Sequence, residues 1–288
     1  MESSSEAGRR LVITADDFGA SVEVNEAVER AYLEGILTAA SLMVAAPAAA
    51  DAVERARRLE GLGVGLHLVL TDGTPVLPPA HVPHLVGEDG QFLRPMARAA
   101  FRMVCSAAAR TELQSEIEAQ FEAFEATGLT LDHANSHKHF HLFPMIGREI
   151  IRIGARHGLR AVRAPLEPSG PVRDIDPRAR GASLPERFLA RLSAFRLRRA
   201  GLLAPDQVFG LAWSGAMVEA RLTGLIERLR VGLTEIYLHP AAQAEFAGAV
   251  PGYRHAEELA ALLSPSVRRA VEASGAKLGS FSHFAEAA

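Results

Sequence analysis

The sequence predicts an α/β protein, a distorted (β/α) barrel of parallel strands forming a single domain with long loop insertions. Three observations predict it. Short apolar runs alternate with helical segments in about eight repeats along the chain, the rhythm of a parallel sheet. No glycine pattern of the G-x-G-x-x-G or P-loop type follows a strand, which favours a barrel over an open doubly wound sheet. Polar residues with chemical potential recur just after the apolar runs, where barrel enzymes carry their sites.

The elements follow in order. Leu11–Ala15 (LVITA) reads as a buried strand. A helix is expected from Ser21, a side chain suited to an N-cap, to Glu34, with Gly35 as its stop. Further strands are expected within Ala39–Ala45, Val64–Leu70, Leu129–Ala134, Leu159–Ala164, Val208–Ala212, Thr234–Leu238 and Lys277–Phe281. Helices are expected over Asp51–Leu59, Leu113–Ala126, Pro144–His157 and Glu219–Leu229. Thr71–Gln91 is rich in Pro and Gly and reads as loop, while Pro165–Gly201 reads as a long insertion with several Arg. Residues 1–10 are expected to be a disordered tail and 11–288 the domain.

Composition narrows the function. The 288 residues carry 31 Lys+Arg against 34 Asp+Glu, a net charge of -3, which excludes a generally basic nucleic-acid binder. One cysteine, Cys105, excludes an internal disulfide and a Cys-based zinc knuckle. With 11 His present, any bound metal would be held by imidazole and carboxylate. The polar start MESSSEAGRR has no apolar signal segment, and the longest uncharged stretch, Gly35–Ala50, is too short and too interrupted to span a bilayer. A soluble cytoplasmic protein is expected.

Four features carry chemistry. Asp16-Asp17 places adjacent carboxylates at the end of a buried strand, where their repulsion needs a cation, an Arg or solvent to offset it. The alternative is a helix-entry cap. His67 lies within VGLHLVL, on the face of Gly65 and Val69, as a ligand or as a satisfied core histidine. The run from Asp132 to His141 holds His137, His139 and His141, which share a face if extended, while His137 and His141 face together if helical. His239 ends a late strand before Pro240, as a catalytic or an ordinary loop residue. Together they set two Asp and several His at one end of one sheet, the makings of a 2-His-1-carboxylate site with a base and an acid left over.

ITADDFG, GLHLVL, NSHKHFH, VRAP and EIYLHP, in combination, resemble the motifs of YdjC-like carbohydrate deacetylases of the chitooligosaccharide-deacetylase type, over Leu11–His283. The resemblance implies a distorted barrel with one divalent metal. Zinc suits two imidazoles and a carboxylate best, with magnesium, nickel, cobalt or manganese as alternatives. It implies Asp16 as general base toward the attacking water, Asp17, His67 and His137 as metal ligands, and His239 as general acid to the leaving amine. Arg163 of VRAP would hold Asp16 ionised, and His139 and His141 would support the site or its substrate. HKHFHLFP and APDQVFGLAWSGAM suggest, more narrowly, the hopanoid-biosynthesis-associated branch. That branch implies an N-acetylglucosaminyl hopanoid as substrate, reacting to free amine and acetate. Other readings are a chitooligosaccharide deacetylase, a metal-dependent hydrolase of another bond, or an inactive carbohydrate- or lipid-binding protein.

Two further segments bear on the substrate. Trp213, the only Trp, would stack on a sugar ring or anchor the core. Arg187–Arg199 sets Phe188, Leu192 and Phe195 at helical spacing among arginines, as in a helix lying on an anionic bilayer at the inner membrane surface. The commoner arrangement, and the one expected, buries that apolar face on the barrel. Met96–Ala109 is a second, weaker segment of this kind. The oligomeric state is left open.

Overall fold

The computed structural model describes residues 8–285. Its strands are β1 (Arg9–Phe18), β2 (Ala39–Leu42), β3 (Gly63–Leu68), β4 (Ala134–Ser136), β5 (Gln207–Phe209), β6 (Gly232–Leu238) and β7 (Lys277–Leu278). They form one sheet in the order β4-β3-β2-β1-β6-β5, with β7 beside β1. All pairings are parallel. β1 lies at the centre, and Leu11, Val12, Ile13 and Ala15 are fully buried, as a strand covered on both faces requires.

The helices are α1 (Val22–Leu33), α2 (Ala49–Ala56), α3 (Met96–Cys105), α4 (Ala107–Glu125), α5 (Pro144–Gly154), α6 (Ser169–Ile175), α7 (Leu184–Arg199), α8 (Glu219–Ile226), α9 (His255–Leu263), α10 (Pro265–Ser274) and α11 (Phe281–Ala285). The Ser21 hydroxyl accepts the backbone N–H of Val24 at 3.3 Å and so starts α1 as expected. Gly35 follows the end of that helix for reasons of space. A Cβ there would stand 2.5 Å from Leu262 O and 2.6 Å from Ala31 O.

The sheet curls into a distorted (β/α) barrel. The gap between β4 and β5 is spanned by the segment after α5, where Arg163 N–H donates to Ala134 O at 3.1 Å and Val208 N–H donates to Leu166 O at 3.0 Å. The expected strand at Leu159–Ala164 is therefore present only as isolated bridges, Ala134 to Val162 and Ala161 to Leu203. The Pro165–Gly201 insertion carries α6 and α7, and Arg9 and Arg10 of the expected tail belong to β1. Residues 1–7 of that tail lie outside the described residues. No helix among the described residues is long and apolar enough to cross a membrane.

Candidate active site

The candidate residues leave the C-terminal ends of neighbouring strands. In a regular strand Asp16 and Asp17 would point to opposite faces. Here the pairing of β1 with β2 slips between Ala15 and Phe18, and Asp17 has φ 63. An aspartate tolerates that left-handed backbone better than most residues, and such strain concentrates at functional sites. Both carboxylates consequently line one cavity of about 920 Å³. His67 of β3 is in register with Asn135 of β4, and His137 follows β4 directly. His239 follows β6, which runs beside β1 with Leu238 opposite Ala15.

Asp17, His67 and His137 come together. Asp17 Oδ1 lies 3.3 Å from His67 Nε2 and 3.4 Å from His137 Nδ1. One ligand atom from each lies within 4.8 Å of the others, so the three could hold a metal ion. The hydrogen bonding supports that donor set. Asn135 uses its Nδ2 to donate to Ser41 Oγ at 2.8 Å and to Asp16 Oδ1 at 3.2 Å. Its Oδ1 is thereby turned to His67 Nδ1, 2.6 Å away, which must carry the proton. His67 Nε2 then aims its lone pair at a carboxylate oxygen, and both atoms are buried without a hydrogen-bond partner. Only a proton or a cation between them makes that arrangement favourable. The same demand acts on the acid–base equilibria. Burial resists charge on His67, yet Asp17 and Asp16 outweigh it and pull the imidazole up. Burial likewise resists charge on Asp17, and the neighbouring His137 and His67 imidazoles hold it well below the usual carboxylate range.

Asp16 has a different partner. Arg163, fully buried, donates from Nη1 to Asp16 Oδ2 at 2.5 Å and from Nη2 to Asp16 Oδ1 at 2.9 Å. Burial raises the pKa of Asp16, but the Arg163 charge overrides it and holds the carboxyl far below its ordinary value. Arg163 also binds Glu235 Oε1, from Nη2 at 2.7 Å and Nε at 3.0 Å, and its guanidinium carbon stands 4.4 Å from the Tyr237 ring centre. Behind Asp16 runs a buried chain. Ser41 Oγ donates to Asp16 Oδ1 at 3.0 Å and lies 3.1 Å from His133 Nε2, whose Nδ1 is 2.9 Å from Asp132 Oδ2.

His239 lines the same cavity, and its backbone is held from both sides. Glu258 accepts its N–H at 2.5 Å, and His255 Nδ1 donates to its carbonyl at 2.6 Å. Burial lowers the pKa of the His239 imidazole, with Asp17 and Asp16 opposing.

The structure thus brings Asp16, Asp17, His67, His137, His139 and His239 to one cavity. His139 Nε2 is 3.0 Å from Tyr237 Oη. Arg163 stands directly behind the cavity, on Asp16. Two residues expected at the substrate do not line this cavity. His141 is buried, with Nδ1 2.7 Å from Ser136 Oγ, because the turn after β4 with positive φ at Lys138 and His139 carries it inward. Trp213 packs in the apolar core beneath Arg221, whose guanidinium carbon is 5.2 Å from its ring centre. The aromatic rings at the cavity are Tyr237 and Tyr253. Sequence reasoning missed Glu235, Asn135, Ser41, Tyr253 and Glu258. Glu235, Asn135 and Ser41 sit inside segments already singled out and had a signal, being polar in buried strands; Tyr253 and Glu258 had none.

A parallel barrel with a carboxylate–imidazole cluster at the C-terminal ends of its strands places its polar groups where barrel enzymes carry their active sites. The comparison with known proteins is more specific. The chain belongs to the YdjC-like protein family, which it matches over residues 10–273. It is 31% identical over 279 residues to a carbohydrate deacetylase of Geobacillus stearothermophilus, covering 96% of this chain and 98% of that protein. It is 34% identical over 250 residues to a carbohydrate deacetylase of Mus musculus, covering 85% of this chain and 78% of that one. Its fold is shared with a crystal structure from Enterococcus faecalis V583, described provisionally as a cellobiose-phosphate cleavage protein. The TM-score is 0.78 at 23% identity, with 96% of this chain and 99% of that one covered.

Proposed function

We propose that this protein is a metal-dependent carbohydrate N-deacetylase that hydrolyses the acetamide of an N-acetylglucosaminyl substrate to the free amino sugar and acetate. Residues 11–288 act in this reading as one catalytic domain. The observation that carries it is the Asp17/His67/His137 cluster with Asp16 and His239 facing the same cavity. The relatives named as carbohydrate deacetylases support it.

Asp17, His67 and His137 would hold a divalent cation, zinc by their donor set, which would supply Lewis acidity toward the acetamide. The chain's own residues supply the proton transfers. Asp16, kept ionised by Arg163, takes a proton from the water as it adds to the carbonyl carbon. His239 donates a proton to the departing nitrogen. Asn135 fixes the His67 ring and Asp16 in one geometry. The sugar would lie against Tyr237 and Tyr253, with His139 on the same wall. A hopanoid-linked N-acetylglucosamine is the finer substrate proposed, on the motif resemblance.

The test is acetate release from free and lipid-linked N-acetylglucosamine, with chelated protein and Asp16→Asn alongside. Asp16→Asn should lose about 10²–10⁴-fold in rate. Full activity in Asp16→Asn, or in metal-free protein, removes the assigned roles.

A further inference from the structure

α7 presents to the outside the side chains that an amphipathic helix is expected to bury. Its inward positions are Ala190, Ala194 and Leu197. Leu184, Phe188 and Phe195 stand 79%, 66% and 60% exposed. At 100° per residue these three fall within about 40° of one another, so they form one stripe. The expectation that Phe188 and Phe195 pack on the barrel is therefore corrected: Ala190, Ala194 and Leu197 make that contact.

The stripe is flanked by charge of one sign. Arg191, Arg198 and Arg199 are exposed and Arg187 half-buried on the same helix. Arg198 pairs with Asp206 at 2.9 Å, whereas Arg187, Arg191 and Arg199 form no ion pair among the described residues. The position of the helix adds a further constraint. Glu186 in its first turn and Arg180 just before it line the catalytic cavity. Arg94, two residues before α3, lines the same cavity. α3 in turn exposes Phe101 and Val104, 70% and 53%, beside the exposed Arg98. Two helices that bare aromatic side chains among arginines thus begin at the rim of one cavity.

We propose that the outward face of α7, with α3 beside the same rim, docks on an anionic lipid bilayer. Exposed aromatic rings enter the headgroup–acyl boundary, and guanidinium groups meet anionic headgroups. The charge selects this occupant over a second copy of the chain, since a two-fold contact through this face would set like arginines against each other. Docked in this way, the protein would open its cavity at the level of lipid headgroups. The inference goes beyond the deacetylase reading and does not depend on it, because membrane binding is measured without turnover.

Co-sedimentation of the full chain with vesicles tests it. Binding is expected to vesicles containing phosphatidylglycerol at low salt, and not to pure phosphatidylcholine. It should weaken steeply as salt rises. Each arginine at an anionic surface is worth about fivefold in partitioning, so Arg191→Gln/Arg199→Gln should lower it about twenty-five-fold. Phe188→Ser/Phe195→Ser should lower it about tenfold or more. Both variants change exposed side chains and should keep the wild-type melting temperature and the wild-type turnover of a water-soluble acetylated sugar. Absence of binding to anionic vesicles at low salt overturns the proposal, as does unchanged binding by both variants. A wild-type dimer that Phe188→Ser/Phe195→Ser dissociates would also overturn it and assign the face to a second copy.

Discussion

Arg163 and Asp16 form a doubly hydrogen-bonded ion pair with almost no solvent contact, at 2.5 and 2.9 Å. The same guanidinium carries Glu235, so one buried cation answers two buried carboxylates. Arg163→Ala would leave both without compensation. Removing one partner of a buried pair costs about 3–5 kcal/mol, and that loss should appear as a lower denaturant midpoint. Arg163→Lys keeps the charge but not the planar fork that spans Asp16 and Glu235, and should fall between wild type and alanine. An alanine variant as stable as wild type would show that the pair does not support the fold.

Asn135 governs the second group. Its amide binds Asp16 and Ser41 through nitrogen and His67 through oxygen, which fixes the His67 proton on Nδ1. Asn135→Ala should therefore lower zinc affinity about 10–100-fold while leaving all three proposed ligands in place. Competition against a chromophoric chelator measures this without any assay of turnover. Equal affinity in the variant would remove Asn135 from the metal site.

Much of this geometry was legible in the sequence, and the limits of that reading are physical. LVITA and EIYL announced β1 and β6 because both faces of those strands are buried and nearly every position is apolar. Asp16, Asp17, His67 and His239 stood out because polar residues have no packing reason to end such strands. Leu159–Ala164 reads as a strand but pairs only at isolated bridges, because its apolar character records burial, whereas ladder pairing depends on neighbours distant in sequence. The histidine run was ambiguous between extended and helical faces. The positive φ values at Lys138 and His139 put it in neither class, which is why His141 turns inward while His137 and His139 do not. Glu258 belongs to α9, far along the chain, and only the folded topology brings it to the His239 backbone.

His141 makes acid sensitivity specific. Burial, with Arg163 nearby, pushes its imidazole down to about 3. The unfolded chain takes up that proton near pH 6.5, while the folded chain stays neutral until about pH 3. Unfolding therefore binds a proton throughout this window, and stability falls as the pH drops. The contribution is about 1.4 kcal/mol per pH unit. Urea unfolding of wild type and His141→Gln across the window should show a shallower pH dependence in the variant. Parallel curves would contradict the assignment of His141 as a buried neutral histidine.

Glu258 has the opposite sign. Burial raises its carboxyl to about 7, although the N–H groups of Met217 and His239 favour the ionised form. Between about pH 4.5 and 7 the unfolded chain has released this proton and the folded chain retains it, so the contribution of Glu258 to stability falls as pH rises. Relative to Glu258→Gln, the wild type should lose about 1 kcal/mol per pH unit across that window and hold a constant difference above it. Glutamine keeps only one acceptor oxygen for two backbone N–H groups at 2.5 and 2.7 Å, so the hold on His239 is weakened as well. If His239 is the proton donor, the variant should lower kcat more than it raises KM, because its position matters most as the leaving nitrogen is protonated. A variant with wild-type kcat would show that the His255 contact alone holds His239 in place.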